Sequence, residues 1–323
     1  MKKFSVSEAN DFKSCPRLYY YKHIQGWEPV VKAAWLTKGS AYDKLLENWD
    51  VLGLGGALPT IPELFPNAYE AVDAEYILRL YDAKFKDHPL QPVTFDGKAG
   101  NQLGFGVDFK GNAVTGPVEV RVTGYLDKLS SVEGELEVVE RKTTSDEIEQ
   151  KRKAKDSASI EEQSPFWDKW GMDPQTKNYV WYLRTLGGRA GWVTVEAIRK
   201  PSATVNKVFK KDCPIDEYRS RVLAHDEKKT LVARHRFYVS EDASDEFIVD
   251  HVNTLYMING CKDRQAEIEA NSFDGQYAWT KNQDSCSNYG GCVHKDVCLG
   301  NTTHEASGGF VKSAKWLKNQ EGG

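Results

Sequence analysis

Val118, Val120 and Val122 alternate with Glu119, Arg121 and Thr123. A period of two marks a strand with one covered face. Glu133-Gly134 follows as a turn signal, and then comes the run Leu136-Glu137-Val138-Val139-Glu140. Two such runs around a short glycine-bearing turn predict an antiparallel hairpin. A further strand pattern, GWVTVEAI, covers 191–198. Helical periodicity flanks these strands. It shows in 68–85 through Ala71, Tyr76, Ile77, Leu80 and Tyr81, and in 174–186 through Tyr179, Tyr182, Leu183 and Leu186. Longer helical patterns cover 216–235 and 244–270. Near the start, Ser7 is placed to cap a short helix carrying Ala9 and Phe12, and 41–49 reads as a second helix with Leu45 and Leu46 inward. Gly and Pro make 51–66 (VLGLGGALPTIPELFP) a loop, and 87–117 shows no clear pattern. Strands set between helices, antiparallel or mixed, give an α/β or α+β class with a small central sheet.

The chain has 323 residues, enough to bury a core without staples. Its net charge of −4 excludes a globally basic nucleic-acid coat, while leaving room for a local basic groove. No apolar run approaches the ~18 residues that would cross a bilayer, and the opening MKKFSVSEANDFKS is polar. The expectation is a soluble cytoplasmic protein with no membrane partner. Disulfides are rare in such a compartment. Yet of the six cysteines, Cys286, Cys292 and Cys298 fall within thirteen residues. Crowded thiols there point to a metal or cluster. Cys213 and Cys261 stand alone and read as small core residues.

Chemistry enters at GYLDK (124–128) and VVERKTTS (138–145). Asp127 is expected to end one hairpin strand and Glu140 the other. Glu140 and Lys142, two apart, share a strand face. Two carboxylates beside a lysine suit a hard divalent cation such as Mg²⁺, which accepts phosphate oxygens. A bound cation lowers the pKa of its water, and the lysine stabilises developing charge. The acidic-x-Lys triplet alone says little: it recurs at Asp11–Lys13, Asp82–Lys84, Asp96–Lys98 and Asp108–Lys110. A solvated edge strand is the plain alternative.

The order of these segments resembles the PD-(D/E)xK nuclease superfamily, in its RecB-like branch. The match runs through Ser5, Ser7 and Phe12, then Cys15-Pro16-Arg17 with Leu18-Tyr19-Tyr20-Tyr21. It continues through Gly39 and Glu47, the Gly-x-x-Asp ending at Asp127, Glu140-Arg141-Lys142-Thr143, and Gln175 with Tyr179. Where the family carries a metal-binding histidine, this chain has Asp43, which shifts a site toward harder cations. The resemblance implies a restriction-endonuclease-like core in a single domain, 1–323. Its parts would be a helical 1–50, a catalytic core 118–200, a cysteine segment 271–305 and a flexible tail 306–323.

It further implies a metal-dependent DNA nuclease, a single-strand-preferring exonuclease in recombination, repair or replication. Asp43, Asp127, Glu140 and the Arg141 carbonyl would hold Mg²⁺ or Mn²⁺, Lys142 would assist the attacking water, and Gln175 and Tyr179 would position the strand. The alternative is a decayed module that binds DNA without cutting it. No GxxxxGK[ST] motif is present, so ATP-driven unwinding would come from a helicase or recombination partner.

By the same resemblance, Cys15 joins Cys286, Cys292 and Cys298 around a [4Fe–4S] cluster. A zinc site using His294 is the alternative. Lys151, Arg152, Lys153 and Lys155, with Lys207, Lys210 and Lys211, are candidate phosphate contacts or a solvated face. Trp167 and Trp170 are either stacking platforms or core, and core is favoured.

Overall fold

The computed structural model describes residues 2–31, 34–113, 116–148, 151–152, 161–162, 165–201, 213–226, 229–314 and 316–317. The chain divides into two compact units. One comprises Met1–Ala33, Gly106–Gly124 and Asp245–Gly323; the other comprises Ala34–Phe105 and Tyr125–Ser244.

The second unit carries a hairpin at the predicted turn, but its first arm is Lys128–Val132; the alternating valines lie earlier on the same strand, where Val120 and Val122 pair with Lys2 and Phe4. Gly116–Val132 and Glu135–Thr144 pair antiparallel from Lys128↔Val139 to Val132↔Glu135. Their connection is the expected two-residue turn, with φ of 54° at Glu133 and 84° at Gly134. Positive φ at both central residues matches the twist of the flanking strands. Glu135–Thr144 then runs parallel to Ala190–Arg199, with Glu140↔Val195 and Arg141↔Glu196, and Ala190–Arg199 runs antiparallel to Val232–Tyr238. The sheet is therefore mixed and flanked by helices, as the pattern of elements predicts.

On one side, Ala34–Ala57 and Ala68–Phe85 bury Tyr42, Leu45, Leu46, Trp49, Ile77, Leu78 and Tyr81 with Ile198 and Val232 of the sheet. The Asn67 side chain caps the second helix, accepting from Tyr69 N (3.0 Å) and Glu70 N (3.3 Å). Elsewhere, Phe166, Trp167 and Trp170 of Pro165–Met172 pack with Ile148, Val195 and Ala197, which makes both tryptophans core residues.

The first unit starts with the strand Lys2–Ser5, parallel to the beginning of the long strand (Lys2↔Val120 to Ser5↔Thr123). Helices Val6–Ser14 and Pro16–Tyr19 follow, with a wider turn Tyr20–Ile24. Trp279 is fully buried and stacks with Tyr19 and Tyr20 at centroid separations of 5.7 and 5.6 Å.

Several expectations need correction. The first helix is capped by Ser5, not Ser7: Ser5 accepts from Glu8 N, and Glu8 reaches back to Ser5 N, closing a capping box. The supposed loop 51–66 is mostly helical. Ala34–Ala57 runs through it with one break at Gly53 (φ 66°), followed by Leu58–Thr60 and Ile61–Leu64. Pro59 and Pro62 fall in first turns, where a missing N–H costs nothing, and Pro66 lies between helices. The long helix 216–235 is Ile215–Asp226 and then the strand Val232–Tyr238. The unassigned 87–117 holds the strand Asn101–Ala113. The segment 306–323, expected as a free tail, contains Phe310–Lys312, paired antiparallel with Trp27–Pro29. Gly26, at φ 75°, lies against the Trp316 indole, so a Cβ there would overlap the ring.

Candidate active site

Asp127 and Glu140 are interior strand positions, not strand ends, because both strands extend beyond them to Val132 and Thr144. Just beyond the Lys128↔Val139 pair, the Asp127 carboxylate accepts the Arg141 N–H at 2.8 Å. The side chain thus ties the two carboxylate-bearing segments together. Glu140 is fully buried and ion-paired with Lys142, the neighbour on its own strand face. The Lys142 ammonium also lies 5.3 Å from the centre of the Trp170 ring.

Gln175 sits in the first turn of Pro174–Thr185. Asp173 caps that helix, accepting from Gln175 N at 2.6 Å. Gln175 donates to the Tyr179 hydroxyl one turn on. Tyr179 itself is 1% exposed and packs edge-on to Phe105. It is a core residue that holds Gln175, not a surface contact. Asp43 lies half-buried on Ala34–Ala57.

Burial, and next the charge of Asp127, pushes the Glu140 carboxyl up to about 8. The same two causes push Asp43 up to about 7. Burial works against the Lys142 ammonium, but the charges of Glu140 and Asp127 prevail and raise its pKa. This is a place where negative charge is concentrated and poorly compensated.

Directly behind it, sequence reasoning missed a buried ionic layer. Arg141 donates to Glu196 through Nε (3.0 Å) and to Asp50 through a terminal nitrogen (2.5 Å). Lys128 donates to the other Asp50 oxygen at 2.9 Å. Arg234 and the Tyr81 hydroxyl, each 2.7 Å from Glu196, complete its shell. Burial alone would raise the pKa of Glu196, but the charges of Lys128, Arg141 and Arg234 override it and hold it well below the usual range. The one available signal was a glutamate inside the apolar strand run VTVEAI.

The family model for the PD-(D/E)XK nuclease superfamily matches residues 3–299. The chain belongs to that superfamily. It is also similar to a crystal structure of a candidate exonuclease from Eubacterium rectale, at 17% identity and a TM-score of 0.42, over 80% of this chain and 82% of that one. No curated protein matches.

Superfamily nucleases use divalent cations. Among the described residues, no three His, Cys, Asp or Glu side chains are grouped so as to hold a metal ion. The donors nonetheless suit one in kind. Asp43, Asp127 and Glu140 supply only oxygens, and Glu140 Oε2 is buried with no hydrogen-bond partner among the described residues. A bare buried carboxylate oxygen is costly unless something positive meets it.

In the nuclease's other unit, Cys15, Cys286, Cys292 and Cys298 line one cavity of about 360 Å³, together with His294 and Tyr21. All four thiols are free. The two ends of the chain meet here. Ser14 O accepts from Asn282 (2.8 Å) and from the Ser285 hydroxyl (2.7 Å), Asn282 N points to Cys15 Sγ at 3.4 Å, and Arg17 donates to Trp279 O and Gln276. His294 is buried and shares a 2.9 Å hydrogen bond with His304. Burial raises the thiols of Cys292 and Cys298.

Cys213 packs with Val72, Tyr218 and Val222, as expected of a core residue. Cys261 does not: it is half-buried on the long helix Glu241–Ala270. Of the basic run, Lys151 and Arg152 are described in backbone only, as a two-residue strand paired with Glu161–Glu162. Lys153 and Lys155, like Lys207, Lys210 and Lys211, lie outside the described residues. No helix among the described residues is long and apolar enough to cross a membrane.

Proposed function

We propose that the protein is a metal-dependent deoxyribonuclease that hydrolyses phosphodiester bonds, acting as an exonuclease on single-stranded DNA ends in recombination, repair or replication. The observation that carries the reading is the junction of Asp127, Glu140 and Lys142 on two paired strands, with one Glu140 oxygen unpartnered. Asp43, Asp127, Glu140 and the Arg141 carbonyl would hold Mg²⁺ or Mn²⁺. When bound, the cation supplies Lewis acidity at the phosphate and an acidified water.

This chain's own groups do the rest. The Lys142 ammonium, kept protonated by its carboxylate neighbours, directs its N–H groups toward the attacking water or the charge growing on the phosphate. Gln175, steadied by the Asp173 cap and by Tyr179, positions the strand. The basic stretch around Lys151, Arg152, Lys153 and Lys155 would contact backbone phosphates. The cysteine cavity would hold a [4Fe–4S] cluster, clasping the chain ends of its own unit, with zinc as the competing occupant. Unwinding would fall to a helicase or recombination partner.

The test is end-labelled single- and double-stranded DNA with Mn²⁺ or Mg²⁺, comparing wild type with Lys142→Ala. Cleavage is expected to start at single-stranded ends and to fall by about 10²-fold or more in the variant. If wild type cuts neither substrate, or the variant cuts as fast, the chain is a DNA-binding module and the reading is wrong. Anaerobic purification reads out the cluster: a colourless protein with stoichiometric zinc and no iron would remove it.

A further inference from the structure

Asp50 carries no part of the chemistry above, yet it touches both strands that do. One of its oxygens takes the Lys128 ammonium at 2.9 Å; the other takes the Arg141 guanidinium at 2.5 Å. Lys128 is the residue after Asp127, and Arg141 is the residue after Glu140. All three ionic side chains are 2% exposed or less. Asp50 also shares a helix with Asp43, seven residues earlier. Seven residues are two turns, about 10 Å, so the two carboxylates lie on one face of an unbroken stretch that ends before Gly53.

We infer that Asp50 is the positioning residue of the divalent-cation site, fixing helix Ala34–Ala57 to both carboxylate strands and so setting the spacing of Asp43, Asp127 and Glu140. This rests on the nuclease reading. A single buried carboxylate with one oxygen for each strand is a three-way joint. Lengthening or loosening it moves three ligands at once, on three elements that no other described ion pair joins in this way. Glu196 also binds Arg141 and lies 3.8 Å from Lys128, but it belongs to the sheet and makes no described ion pair with the helix that bears Asp43. Mutating partners that orient metal ligands commonly costs about 10–100-fold in metal affinity.

The experiment is direct Mn²⁺ binding to the full chain, followed by electron paramagnetic resonance of free Mn²⁺. Cleavage is measured beside it as a function of Mn²⁺. Asp50→Asn keeps the shape and removes the charge. It should weaken Mn²⁺ binding by about tenfold. Its cleavage should be depressed at low Mn²⁺ and approach wild type at saturation. Lys142→Ala should do the reverse, binding Mn²⁺ at least as tightly as wild type, since it removes a competing cation from Glu140, and failing to cut at every concentration. A folded Asp50→Asn protein with wild-type Mn²⁺ affinity overturns the inference. If that variant does not fold, Lys128→Met removes one arm and leaves Asp50 paired with Arg141. It should weaken Mn²⁺ binding in the same direction but by less than Asp50→Asn, and unchanged affinity there overturns the inference equally. A wild-type protein that binds Mn²⁺ but cuts no DNA would instead sink the nuclease reading, and the binding arm would still judge Asp50.

Discussion

The Glu140→Gln substitution should make this protein more stable while destroying its proposed activity. Glu140 is fully buried, and its carboxyl titrates at about 8 in the folded chain against an ordinary 4.5. Because the folded value is raised, the folded state holds the proton after the unfolded state has released it. Stability is therefore lost as pH climbs from about 4.5 toward 8 and is level beyond. Each pKa unit corresponds to about 1.4 kcal/mol, so at pH 7 the penalty is on the order of 3 kcal/mol. Glutamine keeps the shape and never ionises. In a chelator of divalent cations, urea denaturation should show the variant more stable than wild type by a few kcal/mol at pH 7. The gap should close only as pH falls below about 4.5, the ordinary carboxyl value. Saturating Mn²⁺ should narrow the gap at pH 7 by stabilising only the wild type. A variant less stable than wild type at every pH, or a difference that ignores pH, would refute the reasoning.

Two other expectations follow from the same geometry. Glu196→Ala leaves Arg141, Lys128 and Arg234 facing an uncompensated gap, and should cost about 3–5 kcal/mol in chemical denaturation; a loss under about 1 kcal/mol would mean the layer is not held by charge. Cys15→Ala should lose iron and visible absorbance as completely as Cys298→Ala, since both line one cavity; iron retained in the first variant alone would separate the two chain ends.

Much of the candidate site's local geometry was legible because it is written in short-range pattern. The Glu133-Gly134 turn and the run after it fix a hairpin locally, and that hairpin brings Asp127 to Arg141. The helix Pro174–Thr185 was legible from its apolar spacing. What stayed hidden depends on partners far along the chain. Asp50, Lys128, Arg141, Glu196 and Arg234 look like ordinary surface charges until the sheet and two helices close over them. The stretch 51–66 was misread for the converse reason. Its glycines and prolines are tolerated where Leu46, Ala57, Ile61 and Phe65 are buried together, and tertiary burial outweighs local propensity. Gly39 shows a similar contingency: a Cβ there would stand 3.3 Å from the Thr143 hydroxyl, a closeness that no local pattern announces.

The strand Glu135–Thr144 has no spare side. Glu140 and Lys142 pair on one face, that of the proposed cation site, while Arg141 between them serves the buried ionic layer from the other. A one-residue slip in pairing would not dull the site by degrees. It would exchange the two inventories, turning the guanidinium toward the carboxylates and the glutamate toward Asp50 and Glu196. The two-residue turn at Glu133-Gly134 is thus the reading frame of the strand, and adding or deleting one residue there would act as a frameshift in three dimensions.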